Sequence, residues 1–446
     1  MEGHEAPMRE TDSGPKSGTL SGWLSYLEHL HPAAIEMGLE RVNRVRNKMG
    51  LASSFPVIIV GGTNGKGSTC AMMEAILSCA GYRVGCYTSP HLLRYNERVR
   101  ISRQEASDGE LCSAFDVVES ARIGSGVSLT YFEFGTLAAM QLFDQAGVDV
   151  AILEVGLGGR LDAVNIFDAD CAVLTSIDFD HMDYLGDTRE KIGFEKAGIF
   201  RSGRAAICAE PDIPASVRHH AHAIGADLMH MGEHFGYSAN AADATLWGYW
   251  GPGGKRHSLP HPALRGAYQL RNASACLAAL DIVRDRLPVT MSDVRQGLLD
   301  VTLTGRFQVL PGRPATVLDV AHNPGAAHAL AINLGAMGRY RKTYAVFAML
   351  KDKDIAGVAR ALAGKVDIWL TAGIDAPRGA SANEVKQALE AAGVDGGGEA
   401  IRAFPHPAVA YAYACEQAAE NDRICIFGSF HTVAEVLRYR NKVEHG

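Results

Sequence analysis

Ten residues near the start of the chain have the composition of a phosphate-binding loop. The segment VGGTNGKGST (60–69) follows the apolar run FPVIIV and places Lys66 among four glycines. Glycine leaves the backbone N–H groups uncovered, and a helix that begins just beyond adds partial positive charge. The strict pattern G-x-x-x-x-G-K-[ST] fails twice, because Val60 replaces its first glycine and Gly67 replaces its hydroxyl residue. These residues alone leave two interpretations: a chance glycine-rich turn, or a variant loop from a different enzyme class.

Three further oxygen and nitrogen donors, Ser89, Glu154 and His181, lie at or just beyond the ends of apolar runs. Mg²⁺ takes few protein ligands and keeps several waters, so sparse ligation suits a nucleotide-bound ion. Each residue also has a structural alternative, as a turn hydroxyl, a paired acid or a core histidine. Glu154 is the strongest metal candidate, because an acid inside an apolar strand is costly unless a cation satisfies it.

Other candidate residues lie further along the chain. Arg306, in LTGRFQVL, has a planar guanidinium that suits phosphate oxygens, although an interdomain salt bridge is the alternative. Asp319 and His322 follow in LDVAHNPGAA. Lys196, in EKAGIF, is expected early in a helix, where its spacing alone favours an ordinary exposed lysine.

The elements that must position these residues are short strands alternating with helices. Near-continuous apolar strands separated by Ala- and Leu-rich helices predict parallel sheets covered on both faces, an α/β architecture. Ligands of such sheets collect beyond the carboxyl ends of the strands. Five predicted strands run into the polar segments SPH, GLGGRLDA, IDFDH, AHNPGAA and GSFHT, so the candidate residues are expected to converge. The predicted strands are 57–60, 84–88, 150–155, 172–176, 205–208, 316–320, 344–350, 367–371 and 424–427.

The chain of 446 residues is too long for one ordinary core and predicts more than one domain. Residues 1–20 are polar and lack an apolar core, which predicts a disordered tail rather than a signal peptide. We expect a larger nucleotide-binding domain over 21–303 and a smaller α/β domain over 304–446. A Gly- and aromatic-rich stretch between the two series of strands predicts a hairpin around 251–254.

The amino-acid composition and net charge argue against some classes of function. A 47% hydrophobic and 21% charged content is typical of a globular protein, and the net charge of −7 disfavours nonspecific binding to nucleic acid or anionic membranes. The densest basic run is RYNERVRISR (94–103), which is either a site for anionic substrates or a solvated strand edge. Nine cysteines without a CxxC pair indicate free thiols in a reducing compartment, and no apolar run is long enough to span a bilayer. We therefore expect a cytoplasmic protein.

Ten motifs occur in an order that resembles one enzyme family. They are GTNGKGS, YTSPHL, NERV, TYFEFGTLAA, LEVGLGGRLDA, DHMDYLG, EKAGI, GRFQ, DVAHNP and GSFHTVAEV. The chain resembles the bacterial dihydrofolate synthase/folylpolyglutamate synthase family of the Mur ligase superfamily over more than 90% of its length. That family has glycine after the loop lysine, which resolves the two departures from the strict pattern. The resemblance implies a P-loop, Mur ligase-like domain with a mainly parallel sheet and pterin-binding elements, then a smaller Rossmann-like glutamate ligase domain.

The implied activity is ATP-dependent amide ligation. A pterin-linked carboxylate attacks the γ-phosphate of ATP, and the amino group of L-glutamate displaces phosphate from the acyl phosphate. The resemblance favours both dihydropteroate and tetrahydrofolate as acceptors. Alternatives are polyglutamylation alone, a related ligase with another carboxylate substrate, a phosphate-loop kinase, or a non-catalytic nucleotide-binding regulator. The implied partners are small molecules only, without nucleic acid or membrane, and we expect a monomer.

The resemblance also assigns residues. Lys66, Lys196 and His322 are implied to be catalytic, and Mg²⁺ is implied at two sites, formed by Ser89, Glu154, His181 and Lys196. Because an ammonium cannot coordinate Mg²⁺, Lys196 is expected to carry a carbamate formed with CO₂. His322 and Ser429 are implied to lie on the glutamate side. Residues implied to bind ATP are Thr63, Asn64, Gly65, Lys66, Gly67, Ser68, Asn272, Arg306 and Asp319. Those implied to bind the pterin are Ile35, Glu36, Met37, Thr130, Tyr131, Phe132, Glu133, Leu161, Asp162 and Ala163.

Overall fold

The computed structural model describes residues 18–240, 243, 245–394 and 401–445. Residues 1–17 of the predicted tail lie outside this range, and the first helix begins at Leu20. Among the described residues, no helix combines the length and apolar character needed to cross a membrane. The nine cysteines are free thiols, as expected from their spacing.

The first sheet has eight strands and forms the centre of the N-terminal part. Its strands are β1 Val57–Gly61, β2 Val84–Tyr87, β3 Val99–Ile101, β4 Gln104–Glu105, β5 Val150–Glu154, β6 Cys171–Leu174, β7 Ala205–Cys208 and β8 Asp227–His230. Their order is β4-β3-β2-β5-β1-β6-β7-β8, and the pairs from β2 to β8 are parallel. At one end of the sheet, β3 pairs antiparallel with β2 and with the edge strand β4. The carboxyl ends of β1, β2, β5 and β6 therefore meet at one edge of the sheet.

Helices cover this sheet and carry part of the site. They are α1 Leu20–Leu30, α2 Glu40–Met49, α3 Lys66–Cys79, α4 Asp108–Ile123, α5 Tyr131–Ala146, α6 Met182–Leu185, α7 Arg189–Ala197, α8 Ala215–Ile224, α9 Gln269–Val283 and α10 Met291–Asp300. One core on one face of the sheet includes α1, α2, α4 and α5, and the other face packs against α3 and α9. A small antiparallel sheet of β9 Gly236–Ala239, β10 Leu246–Gly251 and β11 Gly254–Pro260 lies beside α9, so the predicted hairpin is confirmed.

The second large sheet has six strands. They are β12 Gln308–Leu310, β13 Ala315–Leu318, β14 Thr343–Phe347, β15 Ile368–Ala372, β16 Ile401–Phe404 and β17 Arg423–Phe427, in the order β12-β13-β17-β14-β15-β16. Apart from β12, its neighbours pair parallel. Its helices are α11 Pro324–Ala336, α12 Ile355–Ala361, α13 Ala382–Ala391, α14 Pro407–Gln417 and α15 Phe430–His445. The predicted α/β architecture with mainly parallel sheets is confirmed.

Candidate active site

The segment 62–68 forms a tight loop between β1 and the first turn of α3. Gly62 and Gly65 have φ values of +138° and +92°, a region that other residues rarely adopt. A Cβ at Gly65 would lie 2.6 Å from Oδ1 of Asn272, so this glycine also lets α9 approach the loop. Lys66 Nζ donates to the carbonyl oxygen of Gly62 at 3.0 Å. The loop and the free N–H groups of the first turn of α3 line a cavity of about 470 Å³.

Side chains beyond the end of β6 hold the loop in place. The N–H of Asn64 donates to Oγ of Ser176 at 2.9 Å, and Oγ1 of Thr175 donates to the Asn64 carbonyl at 2.7 Å. Thr63 Oγ1 donates to the carbonyl of Asp178 at 3.1 Å and accepts from its N–H at 3.0 Å. A loop fixed in this way needs little reorganisation to receive phosphate groups.

Glu154, the last residue of β5, lies against the loop and is only 4% exposed. A Cβ at Gly67 would lie 3.7 Å from both of its carboxylate oxygens. Its Oε2 accepts the N–H of Ser89 at 3.1 Å. Burial raises the pKa of Glu154, although the charge of Lys66 and the bond from Ser89 act in the opposite direction. A desolvated carboxylate with lone pairs to spare fits a divalent cation, which favours its charged form.

Lys196 lies in the last turn of α7 and is 4% exposed, so the expectation of an exposed lysine early in a helix is wrong. The glycine-rich loop after β5 packs against the end of α7, where a Cβ at Gly159 would lie 2.8 Å from the backbone carbonyl oxygen of Lys196. Burial, reinforced by Lys66, lowers the pKa of Lys196 to about 7, against the opposing charges of Asp180 and Asp162. The amine therefore reaches its neutral, nucleophilic form near neutral pH.

Asp180 is the centre of a polar network that joins the two large sheets. Lys353, which follows β14, places Nζ 2.6 Å from Asp180 Oδ1 and 3.2 Å from His181 Nε2. Asn323 Nδ2 donates to Asp180 Oδ2 at 3.2 Å, and His322 Nε2 lies 3.5 Å from the same oxygen. Burial alone would raise the pKa of Asp180, but the bond with His322 and the charge of Lys353 hold it well below its usual range.

His181 is held in an unusual backbone conformation at the start of α6, with φ of +50°. Burial lowers its pKa to about 4; Lys353 and Lys66 also lower it, and Asp180 opposes them. The imidazole is therefore neutral at physiological pH, which is the form that can ligate a metal ion.

Three more of the predicted residues line the first cavity. Asn272 has a buried Oδ1 without a hydrogen-bond partner among the described residues, which fits a donor from a bound ligand. Arg306 lies with Cζ 4.9 Å from the ring centroid of Phe430; burial lowers its pKa, and Asp319 and Glu154 oppose this. Asp319 accepts two backbone N–H groups at 2.9 and 2.8 Å.

A second cavity, of about 530 Å³, adjoins the first. The ring of Phe132 forms part of its wall and packs against Gly156, where a Cβ would lie 2.8 Å from the ring. Asp162 accepts two backbone N–H groups at 2.8 and 3.1 Å, and burial raises its pKa to about 7. Ser89, His181 and His322 line both cavities, so they mark the junction between them.

The structure brings nearly all of the predicted residues to these two cavities. Tyr131 is the exception: it lines neither cavity, and its ring packs beside Arg98 and Tyr95 instead. The first cavity is lined by Thr63, Asn64, Gly65, Lys66, Gly67, Ser68, Ser89, Glu154, His181, Lys196, Asn272, Arg306, Asp319 and His322. The second is lined by Ile35, Glu36, Met37, Thr130, Phe132, Glu133, Leu161, Asp162, Ala163, His322 and Ser429.

Sequence reasoning missed Lys353. The segment KDKD (351–354) directly follows the predicted strand 344–350, so the rule that pointed to the other strand ends also covers it. Its partner Asp180 lies 173 positions earlier in the chain, and no local pattern links the two.

Two family models match the two parts of the chain that form this site. The Mur ligase middle domain model matches residues 60–280, and the Mur ligase glutamate ligase domain model matches residues 305–430. Two α/β sheets that meet at a phosphate loop, together with these matches, define an ATP-dependent ligase of the Mur type.

Relatives place the chain more narrowly. It is 45% identical to the dihydrofolate synthase/folylpolyglutamate synthase of Escherichia coli (strain K12), over 94% of both chains. The Haemophilus influenzae protein of the same name is 41% identical, over 93% of this chain and 96% of its own. The chain belongs to the dihydrofolate synthase/folylpolyglutamate synthase family.

Solved structures agree with this assignment. E. coli FolC in complex with DHPP and ADP matches with a TM-score of 0.89 and 43% identity, covering 97% of this chain and 99% of that chain. A bifunctional folylpolyglutamate synthase/dihydrofolate synthase with Mn, AMPPNP and L-glutamate bound matches with a TM-score of 0.87 and 45% identity, covering 96% and 100%. The chain is an ATP-dependent acid–amino-acid ligase, as the motifs predicted.

Proposed function

We propose that the protein joins L-glutamate to dihydropteroate and to tetrahydrofolate by way of an acyl phosphate. The junction of the two cavities carries this proposal. The cavity around the phosphate loop suits a triphosphate, and the adjoining cavity suits a pterin with its linked carboxylate. Because Ser89, His181 and His322 line both, a carboxylate in one can approach the terminal phosphate in the other.

The phosphate loop is proposed to hold ATP. Lys66 and the backbone N–H groups of 63–68 would offset charge that spreads over the phosphoryl oxygens during transfer. Asn272, Arg306 and Asp319 would complete the nucleotide site. Ser89 and Glu154 would hold one Mg²⁺, and His181, together with Lys196 once it carries a carbamate, would hold another; the ions would neutralise phosphate charge.

Two bonds change in each half of the reaction. An oxygen of the substrate carboxylate attacks the γ-phosphorus and ADP leaves; the glutamate amine then attacks the acyl carbon and phosphate leaves with that oxygen. The amine loses a proton in this step. His322, oriented by Asp180 at 3.5 Å, is the proposed acceptor, with Ser429 on the glutamate side.

Lys196 is proposed to carry a carbamate. Burial, reinforced by the charge of Lys66, favours the neutral amine. Addition of CO₂ to that amine, with loss of a proton, converts the side chain into an anion that can ligate or orient a metal ion. Lys196→Ala is expected to lose most activity and to recover part of it with a short carboxylic acid. A well-ordered, unmodified lysine in crystals grown with nucleotide and Mg²⁺, together with an active alanine variant, would contradict the carbamate.

A substrate panel tests the function directly. Phosphate release from ATP is measured with dihydropteroate, tetrahydrofolate or a cell-wall precursor, each with and without L-glutamate. We expect release only when a pterin substrate and glutamate are both present. Turnover with tetrahydrofolate alone indicates polyglutamylation only, and a stable phosphorylated product without glutamate indicates a kinase. A monomeric, cytoplasmic protein with a domain boundary near 303–304 remains our prediction.

A further inference from the structure

Cationic side chains line one wall of the second cavity. Arg98 comes from the basic run 94–103, and Arg378 and Arg438 come from the part of the chain that carries the second large sheet. We call these three residues the arginine wall. Arg378 pairs with Asp352. Neither Arg98 nor Arg438 has a carboxylate partner within the described part of the chain.

Arg98 is fixed by neutral neighbours. Its Nε donates to Nδ1 of His91 at 2.9 Å, and its Cζ lies 5.4 Å from the ring centroids of both Tyr95 and Tyr131. Burial and the charge of Arg98 lower the pKa of His91 to about 4, so this imidazole is an uncharged acceptor. These contacts hold the guanidinium in position and leave its charge without a counterion, an arrangement that favours an anionic ligand.

The same cavity is acidic elsewhere. Glu36, Glu133 and Asp162 also line it, and Arg41 pairs with both glutamates. A folate has matching chemistry, because its heterocycle carries N–H donors and its γ-glutamyl chain carries one unreacted carboxylate per residue. Dihydropteroate has only the carboxylate that reacts, so it has no second carboxylate for the arginine wall to bind.

We propose that the arginine wall binds the α-carboxylates of the γ-glutamyl chain already attached to the folate. This inference rests on the proposed function and deepens it, because it names the residues that separate the two acceptors. Arg98, held rigidly, binds the first α-carboxylate. Arg438, exposed on α15, binds carboxylates further along a longer chain.

The test compares Michaelis constants for dihydropteroate, tetrahydrofolate and tetrahydrofolate triglutamate. A hydrogen bond to a charged group is stronger than one between neutral groups, so Arg98→Gln should raise the ratio of the tetrahydrofolate KM to the dihydropteroate KM about tenfold or more. Arg98→Lys keeps the charge and should limit that rise to about threefold. Arg438→Gln should raise the triglutamate KM about threefold, an effect that shrinks as salt is added.

Arg94→Gln is the matched control, because Arg94 pairs with Asp108 outside the cavity and both side chains are 63% exposed. It should leave all three constants unchanged. An equal rise for dihydropteroate and the folates, no change in their ratio, or a rise only in the KM for L-glutamate would overturn the proposal. If Arg98→Gln fails to fold, the exposed Arg438→Gln decides the question. A wild-type enzyme inactive on every acceptor would refute the proposed function instead.

Discussion

Glu154 and Lys196 are titratable side chains that burial drives toward their neutral forms, raising the pKa of the acid and lowering that of the lysine. A cation bound beside Glu154 would lower the pKa of its carboxyl group again and favour the charged form. The proposed carbamate on Lys196 would turn the second effect into a further negative charge. Both changes would supply anionic oxygens for the proposed metal ions, so the cost of burying these two side chains would be offset by their ligands.

Replacing Glu154 by Gln keeps its size and removes its charge. We expect the Mg²⁺ concentration that gives half-maximal activity to rise about tenfold or more, because a carboxylate ligand is lost. The melting temperature should not fall, since a buried charge is removed. Initial rates across a Mg²⁺ titration test this, with the exposed Glu416→Gln as control. An unaltered titration would assign Glu154 a structural role.

Asp162 gives a prediction about pH and stability. Its pKa is about 7 in the folded protein, mainly through burial, and near 3.9 in an unfolded chain. Between these values the folded state holds a proton that the unfolded state has lost. The contribution of Asp162 to the unfolding free energy is therefore fully present at low pH, falls as pH rises and is lost above pH 7. The unfolding free energy of wild type minus that of Asp162→Asn should fall by about 2–4 kcal/mol from pH 4 to pH 8. Urea titrations at both pH values that give the same difference would contradict this.

At the scale of elements, the sequence predicted the central strands because each is a continuous apolar run. The nine predicted strands match the structure within about three residues at each end. The strands β3, β4, β8 and β16 are short or partly exposed and are not continuous apolar runs, so they were not predicted. The order of strands could not be predicted, because it depends on pairings between distant segments.

The site was predictable to the same extent as its elements. The rule that polar residues follow strand ends found the phosphate loop, Glu154 and His322, since each lies beside or inside an apolar run. Lys196 was misplaced because the fold buries it, and one segment packed against its backbone, the loop at Gly159, lies about 40 positions earlier in the chain. Burial by distant segments has no local signature in sequence.

Lys353 leads to a prediction about how the elements are joined. It pairs with Asp180 at 2.6 Å, and their side chains are 8% and 10% exposed. Removing one partner of a buried pair costs about 3–5 kcal/mol. Lys353→Gln should therefore lower both the unfolding free energy and kcat.

Adding Asp180→Asn to that variant should recover part of the stability but not the activity, because the uncompensated charge is gone while the network stays broken. Chemical denaturation and steady-state rates on both variants test this, with exposed Lys351→Gln as control. A single variant with wild-type stability and kcat would remove Lys353 from the site.

At the scale of the whole molecule, both large sheets direct strand ends to one junction. Asn64 and Asn323 exchange amide hydrogen bonds across it at 3.1 Å in each direction, and Lys353 reaches Asp180 beside them. The relative position of the two sheets is therefore part of the site. We expect conditions that separate them to reduce kcat more than they weaken ATP binding by the loop.

The central claim is that the substrate carboxylate is activated by phosphorylation before glutamate attacks it. The most direct test uses dihydropteroate labelled with oxygen-18 in its carboxylate, together with ATP and L-glutamate. The account predicts that each released phosphate carries one oxygen from that carboxylate, because the acyl phosphate breaks at the acyl carbon. Product formation with unlabelled phosphate would contradict it.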